Sequence, residues 1–140
     1  MLDSYISSIY QRRIGDKMKN QIVWVDMPVT KLERAIDFYS AVLDGKVEKE
    51  VFEQFEFGLL PHAETNVSGC LVPSSAEQIF TSGPLIYFNV DGRLDDAIAQ
   101  TKAAGGEIVE DKISMGPHGY RVIILDSEGN RIALHSNSDD

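Results

Sequence analysis

The stretch MPVTKLERAIDFYSAVLDGKV, residues 27–47, is answered later in the chain by FNVDGRLDDAIAQTKAAGGEIV, residues 88–109. Both begin at the end of an apolar strand and pass through a short polar turn into a helix-periodic segment that glycine closes. In the first, Thr30-Lys31-Leu32-Glu33 has the pattern of a capping box, with the Thr oxygen accepting from the Glu amide and the Glu side chain reaching back. Leu32, Ala35, Ile36, Tyr39, Val42 and Leu43 predict one buried helix face, and Gly45 suits its end. In the second, Leu94, Ala97, Ile98, Thr101 and Ala104 line the face and Gly105-Gly106 ends it. Leu32-Glu33-Arg34-Ala35-Ile36 sits over Leu94-Asp95-Asp96-Ala97-Ile98, and Val47-Glu48 over Val109-Glu110 at the same offset. One extra residue in the second loop pairs Trp24 with Leu85 and Val29 with Val90.

The flanking segments extend the correspondence. Ile22 to Met27 reads as a strand; Lys46 to Phe52, Phe55 to Leu60 and Gly69 to Val72 supply three more. In the second half Leu85 to Val90 is a strand, as is Glu107 to Ile113. Tyr120 to Leu125 and Arg131 to Ser136 form a hairpin around Ser127-Glu128-Gly129-Asn130, which reads as turn chemistry. The order β-α-β-β-β occurs twice, which marks an internal duplication. The expected organisation is an α+β fold: a single domain over 20–140 made of two βαβββ modules, about 20–73 and 84–137, joined by the turn-rich linker 74–83. Residues 1–19 stand apart as an N-terminal arm, with Tyr5, Ile6, Ile9 and Tyr10 at roughly helical spacing.

Composition narrows the function. The chain has 140 residues, 43% of them hydrophobic, which suits one domain with a real core. Its net charge of -9, with acidic residues spread in blocks no longer than two, argues against nucleic acid, which calls for clustered Lys and Arg. No apolar run is long enough to span a bilayer, and the first residues lack the pattern of a secretory signal, so a cytoplasmic protein is expected. The single cysteine, Cys70, excludes an internal disulfide and a multi-cysteine zinc site.

Taken with the ending GYRVIILDSEGNRIALHS, residues 119–136, the two opening stretches resemble the vicinal-oxygen-chelate proteins: glyoxalases, bleomycin-resistance proteins and extradiol dioxygenases. The resemblance covers roughly Gln21 to Ser136. It implies that the two modules form a curved eight-stranded mixed sheet around a central cleft, with the helices outside. Because side chains alternate along a strand, Ile22, Trp24 and Asp26 should face that cleft while Val23, Val25 and Met27 pack on the helix. Leu85, Tyr87 and Asn89 should face it from the fifth strand, and Arg131, Ala133 and His135 from the last.

Metal-dependent relatives take one ligand from each of four strands, usually His, Gln or Glu. Carried over, those positions are Trp24, Leu85, Ala133 and one near Cys70 or Val72. Trp, Leu and Ala cannot ligate, so no metal and no cofactor is implied. A non-standard set from His62, His118, His135 and Asp26 would need several loops to converge.

The remaining candidates have two readings each. Trp24 is either the flat wall of a pocket or core filling where a metal once sat. Tyr87 and Asn89 either contact a ligand or partner one another. His135 is a general base only if a substrate proton lies in reach, and otherwise a structural histidine. His118-Gly119-Tyr120 is placed to close over the cleft mouth, Phe57 adds aromatic lining, and Cys70 is a small buried apolar residue. The expected function is metal-free binding of a small organic molecule in an aromatic and apolar cleft. Asp26, Tyr87, Asn89 and Arg131 would be its polar handles. The alternatives are a glyoxalase-like lyase, isomerase or dioxygenase with a non-standard site, and a regulatory subunit using the arm. The resemblance also implies a homodimer, with 73–84 as a hinge for exchanging modules.

Overall fold

The computed structural model describes residues 20–140, and the N-terminal arm expected over 1–19 lies outside the described residues. The first half runs β1 (Trp24–Val29), α1 (Leu32–Val42), β2 (Glu48–Phe52), β3 (Phe55–Leu59) and β4 (Ser68–Pro73). The second runs β5 (Tyr87–Asn89), α2 (Leu94–Ala103), β6 (Glu107–Ser114), β7 (Tyr120–Leu125) and β8 (Arg131–Ser136). The strands form two four-stranded mixed sheets of identical plan, β1-β4-β3-β2 and β5-β8-β7-β6, with β1 parallel to β4 and β5 parallel to β8. The fold is the expected α+β arrangement of two βαβββ modules, whose eight strands are hydrogen-bonded as two four-stranded sheets, one per half.

Each helix covers one face of its sheet. Ala35, Tyr39 and Val42 from α1 and Leu94, Ala97 and Thr101 from α2 are fully buried, as their spacing predicts. Phe38 lies outside the predicted α1 face and is equally buried. It packs edge-on to Tyr39 and lies beside Thr101 and Gly106, where a Cβ on the glycine would come 2.8 Å from the Phe38 ring. The helices contact each other as well as their sheets, so the buried stripe is wider than one sheet would require. One apolar cluster draws on both halves, with Met27, Val29, Phe38, Tyr39, Val90, Leu94, Ile132 and Leu134 among its members. Truncating an aromatic at such a position costs about 3–5 kcal/mol.

Local departures from expectation have clear causes. Val23 is 72% exposed rather than packed on α1, because β1 begins only at Trp24. β5 is reduced to Tyr87–Asn89, although the Ala133 amide still donates to the Ile86 carbonyl just before it. The linker contains a single 3₁₀ turn, Ala76–Gln78. The capping box does not form. Lys31 occupies the N-cap with no side-chain cap bond, and Glu33 pairs instead with Lys49 at 2.6 Å. The orphan N–H groups of Thr30 and Lys31 are satisfied by Glu128, from the distant β7–β8 turn, at 2.9 and 2.8 Å. That carboxylate outcompetes a local partner because it brings charge to the positive end of the helix and also binds the Arg34 side chain.

Candidate functional site

The parallel pairing of β1 with β4 sets the site in the first sheet. Met27 and Val29 point into the core, which turns Trp24 and Asp26 to the opposite face. Cys70 stands directly across from Asp26. The Trp24 indole N–H donates to Cys70 Sγ at 3.5 Å, and the thiol is placed to donate to Asp26 Oδ1 at 3.3 Å. Burial pushes the Cys70 thiol up from its ordinary pKa; the Trp24 N–H pulls it down, and the Asp26 carboxylate pushes it further up. Cys70 is therefore a protonated donor to Asp26 and not an activated thiolate.

These three residues form the floor of a cavity of about 840 Å³. Its walls come from the β2–β3 hairpin (Val51, Phe52, Phe55 and Phe57) and from Val72 and Pro73 at the end of β4. The charged residues lining it, Asp26, Glu53 and Glu56, are all acidic, with Glu56 near Lys49 at 3.6 Å. His62 stands edge-on to Trp24, ring centres 6.0 Å apart, so this loop histidine buttresses the indole. Phe52 and Phe55 are 66% and 58% exposed, which leaves the hairpin wall open to solvent on one side.

Of the residues expected in a shared cleft, Trp24, Asp26, Phe57 and Cys70 meet here, and the second-half candidates do not line this cavity. They lie on the second sheet, where Tyr87 pairs with Ala133 and Asn89 with His135. His135 Nε2 lies 2.7 Å from the His118 carbonyl oxygen, so it carries the proton and donates. Arg131 is taken up by Glu110 at 3.3 Å. Leu85 is half-buried just before β5. Tyr120 is corrected: it pairs with Ser136, which is fully buried, and packs on the hydrophobic core, so it lies on the helix side of the sheet and not over the cleft mouth. Sequence reasoning missed the hairpin residues Val51, Phe52 and Phe55, whose signal was a pair of phenylalanines flanking a two-residue turn. It also missed Arg121, directly across from His135 and bonded to Tyr87. The burial of Val122 and Ile124, its alternating neighbours, is what turns it out of the core.

Comparison with known proteins agrees with this architecture. Residues 21–134 match the sequence model of the Glyoxalase/Bleomycin resistance protein/Dioxygenase superfamily. The chain belongs to this superfamily. A glyoxylase-like domain-containing protein from Didymella fabae is 32% identical over 126 residues, spanning 84% of this chain and 94% of that one. A glyoxalase/bleomycin resistance protein from Albidiferax ferrireducens shares the fold with a TM-score of 0.62 at 18% identity, over 84% of this chain and 98% of that one. The fosfomycin resistance protein FosX from Listeria monocytogenes does so with a TM-score of 0.62 at 16% identity, over 85% and 94%.

The metal expected of many glyoxalase-superfamily members does not fit this chain. By the repeat, Asp26 is equivalent to Tyr87, so their partners Cys70 and Ala133 are equivalent too. The fourth ligand position is therefore Cys70, and the set reads Trp24, Cys70, Leu85 and Ala133. Only the thiol is a donor, and it is engaged by Trp24 and Asp26. Among the described residues no three His, Cys, Asp or Glu side chains converge as a metal would require. His62 sits beside Trp24 on the first sheet, while His118 and His135 meet on the second, so the non-standard set does not assemble.

Proposed function

We propose that this chain is a glyoxalase/bleomycin-resistance-like protein that binds a small organic ligand without the superfamily's metal. The observation that carries this reading is the cavity floored by Trp24, Asp26 and Cys70 and walled by Phe52, Phe55 and Phe57. Its size suits a drug-sized molecule, and its aromatic faces with few polar groups match small-molecule sites in general. Acidic groups with no basic residue in the lining favour a flat apolar ligand carrying positive charge, held over the indole and steered by Asp26.

In this reading the protein works as a homodimer in the cytoplasm. What supports the dimer is the half-open wall: Val51, Phe52 and Phe55 are each more than half exposed, and a second copy laid against the hairpin would cover them. Light scattering should report twice the chain mass, and a concentration-independent monomer would overturn this part of the reading.

Trp24 is the sole tryptophan, so its fluorescence reports the cavity directly. Screening aromatic cations by thermal shift should yield compounds that raise the melting temperature and quench Trp24. Binding only to the folded form stabilises by mass action, about 2.7 kcal/mol at a ligand concentration one hundred times Kd. Trp24→Ala should abolish the stabilisation; a shift that survives this change places binding elsewhere. A metal-dependent lyase or dioxygenase reading would instead require one tightly held divalent ion per purified chain.

A further inference from the structure

On the second sheet, Arg121 is, among the described residues, the arginine left without a carboxylate partner. Arg34, Arg93 and Arg131 pair with Glu128, Asp96 and Glu110. No such partner lies beside Arg121 among the described residues, although the chain carries a net charge of -9. Its Nη1 donates to the Tyr87 hydroxyl, and the guanidinium carbon lies 5.9 Å from the centre of the Tyr87 ring. Its Nε is buried and has no acceptor, the one such side-chain atom among the described residues. A buried donor without a partner costs about 1–3 kcal/mol, so the guanidinium is held in an arrangement that an added acceptor would relieve.

The neighbours supply further donors. His135 faces Arg121 across β7 and β8, and Asn89 faces His135 across β5 and β8, which puts the three in one row. The His135 ring is 6.4 Å from the Tyr87 ring. Tyr87 accepts from Arg121 and so keeps its own proton to donate. The Asn89 side-chain oxygen accepts from the Asp91 amide, which leaves the Asn89 NH₂ to donate. The adjoining row runs Tyr87, Ala133 and Ile123, of which Ala133 and Ile123 are covered and only Tyr87 is exposed.

We infer that Arg121, Tyr87 and Asn89 form an anion site on the second sheet that takes the carboxylate of a small organic acid. The Nη2 group carries the charge-assisted N–H that a carboxylate meets first, and the unpaired Nε–H, shielded in the free protein, joins it in a fork as the side chain turns. The Tyr87 hydroxyl and Asn89 amide flank it, and the Tyr87 ring gives an aromatic acid a surface to lie on. This site is separate from the Trp24 cavity, whose lining it does not share, and it stands whether or not that cavity binds a ligand.

The test uses the full chain with sodium benzoate as probe at constant ionic strength. The Arg121 Nε–Hε proton resonance should shift with saturating benzoate, and binding should weaken at least tenfold in Arg121→Gln. Arg121→Lys keeps the charge and loses the fork, so it should recover only part of the affinity. Tyr87→Phe, a milder change that retains the ring and Arg121, should weaken binding several-fold and guards against a folding defect in Arg121→Gln. Trp24→Ala should bind benzoate as the parent does. An Arg121 resonance unmoved by benzoate would overturn the site. So would inorganic phosphate binding more tightly than benzoate, because the carboxylate assignment would fail. An Arg121→Gln protein that changes from dimer to monomer while the parent ignores benzoate would assign the arginine to a second copy instead.

Discussion

The Tyr39 hydroxyl donates to Asp126 Oδ2 over 2.6 Å, joining the middle of α1 to the β7–β8 turn inside the core. Asp126 is 2% exposed and fully subscribed: its other oxygen accepts the amides of Glu128 and Asn130, and Oδ2 also accepts the Asn130 side-chain amide. Burial, reinforced by the Asp126 charge, pushes the Tyr39 hydroxyl well above its ordinary pKa. Tyr39→Phe removes one donor from a buried carboxylate and should cost about 1–3 kcal/mol. A raised folded pKa means the contribution is complete below pH 10, the ordinary tyrosine value, and declines above it as the unfolded chain ionises first. Urea midpoints of parent and Tyr39→Phe should therefore converge above that pH; parallel midpoints at every pH would show that the hydroxyl contributes nothing through its proton.

Glu128 makes the second tie between the halves. Burial pushes its carboxyl up, but the Arg34 guanidinium, the Lys31 amide and the Ser127 and Thr30 hydroxyls outweigh that and hold it at about 2. Here the folded pKa is depressed, so the stabilisation is present above the ordinary glutamate value and is lost as the pH falls from about 4.5 toward 2. After discounting for solvent screening, Glu128→Gln should cost about 1–2 kcal/mol at pH 7. The variant should match the parent near pH 2. Denaturant titrations at three pH values decide this, and a difference unchanged at acid pH would mean shape, not charge, is responsible.

These two ties show what was legible in the sequence. The repeat of helix faces and strand order is a local pattern, and because alternation is enforced residue by residue it reads Trp24 with Asp26 onto one face of β1, and the pairs Tyr87–Ala133 and Asn89–His135 onto one face of the second sheet. Glu128 was read as turn chemistry, since nothing near it in sequence reveals that it caps a helix 97 residues away. Tyr120 was misplaced for a related reason: it begins a strand, where the loop before it hides the phase. The expected single cleft required a relation between the two sheets that no local pattern encodes.

Gly69 tests the first sheet itself. In the parallel β1–β4 pair it stands opposite Val25, and a Cβ there would overlap the Val25 carbonyl oxygen. Backbone cannot swing aside as a flexible side chain can, so Gly69→Ala should cost at least the usual 1–3 kcal/mol or so of an overpacked core. Gly106→Ala makes a useful comparison, because two of its three close neighbours are side-chain atoms of Phe38 and Thr101. It should be the milder change in thermal denaturation, and equal melting temperatures would contradict the distinction drawn between the two sites.

Cys70 gives a chemical readout of the cavity floor. Burial and the adjoining Asp26 carboxylate keep the thiol protonated, while the Trp24 N–H partly opposes them. Because the thiolate is the reacting form, labelling by a disulfide reagent at pH 8 should run on the order of tenfold slower than for free cysteine. Asp26→Asn removes a negative charge from the thiol's neighbour and should speed it. A cavity ligand should slow it again by covering the floor, in proportion to the quenching of Trp24. Rapid labelling of the parent, or a rate indifferent to Asp26→Asn, would mean that the Trp24–Cys70–Asp26 chain does not govern the thiol.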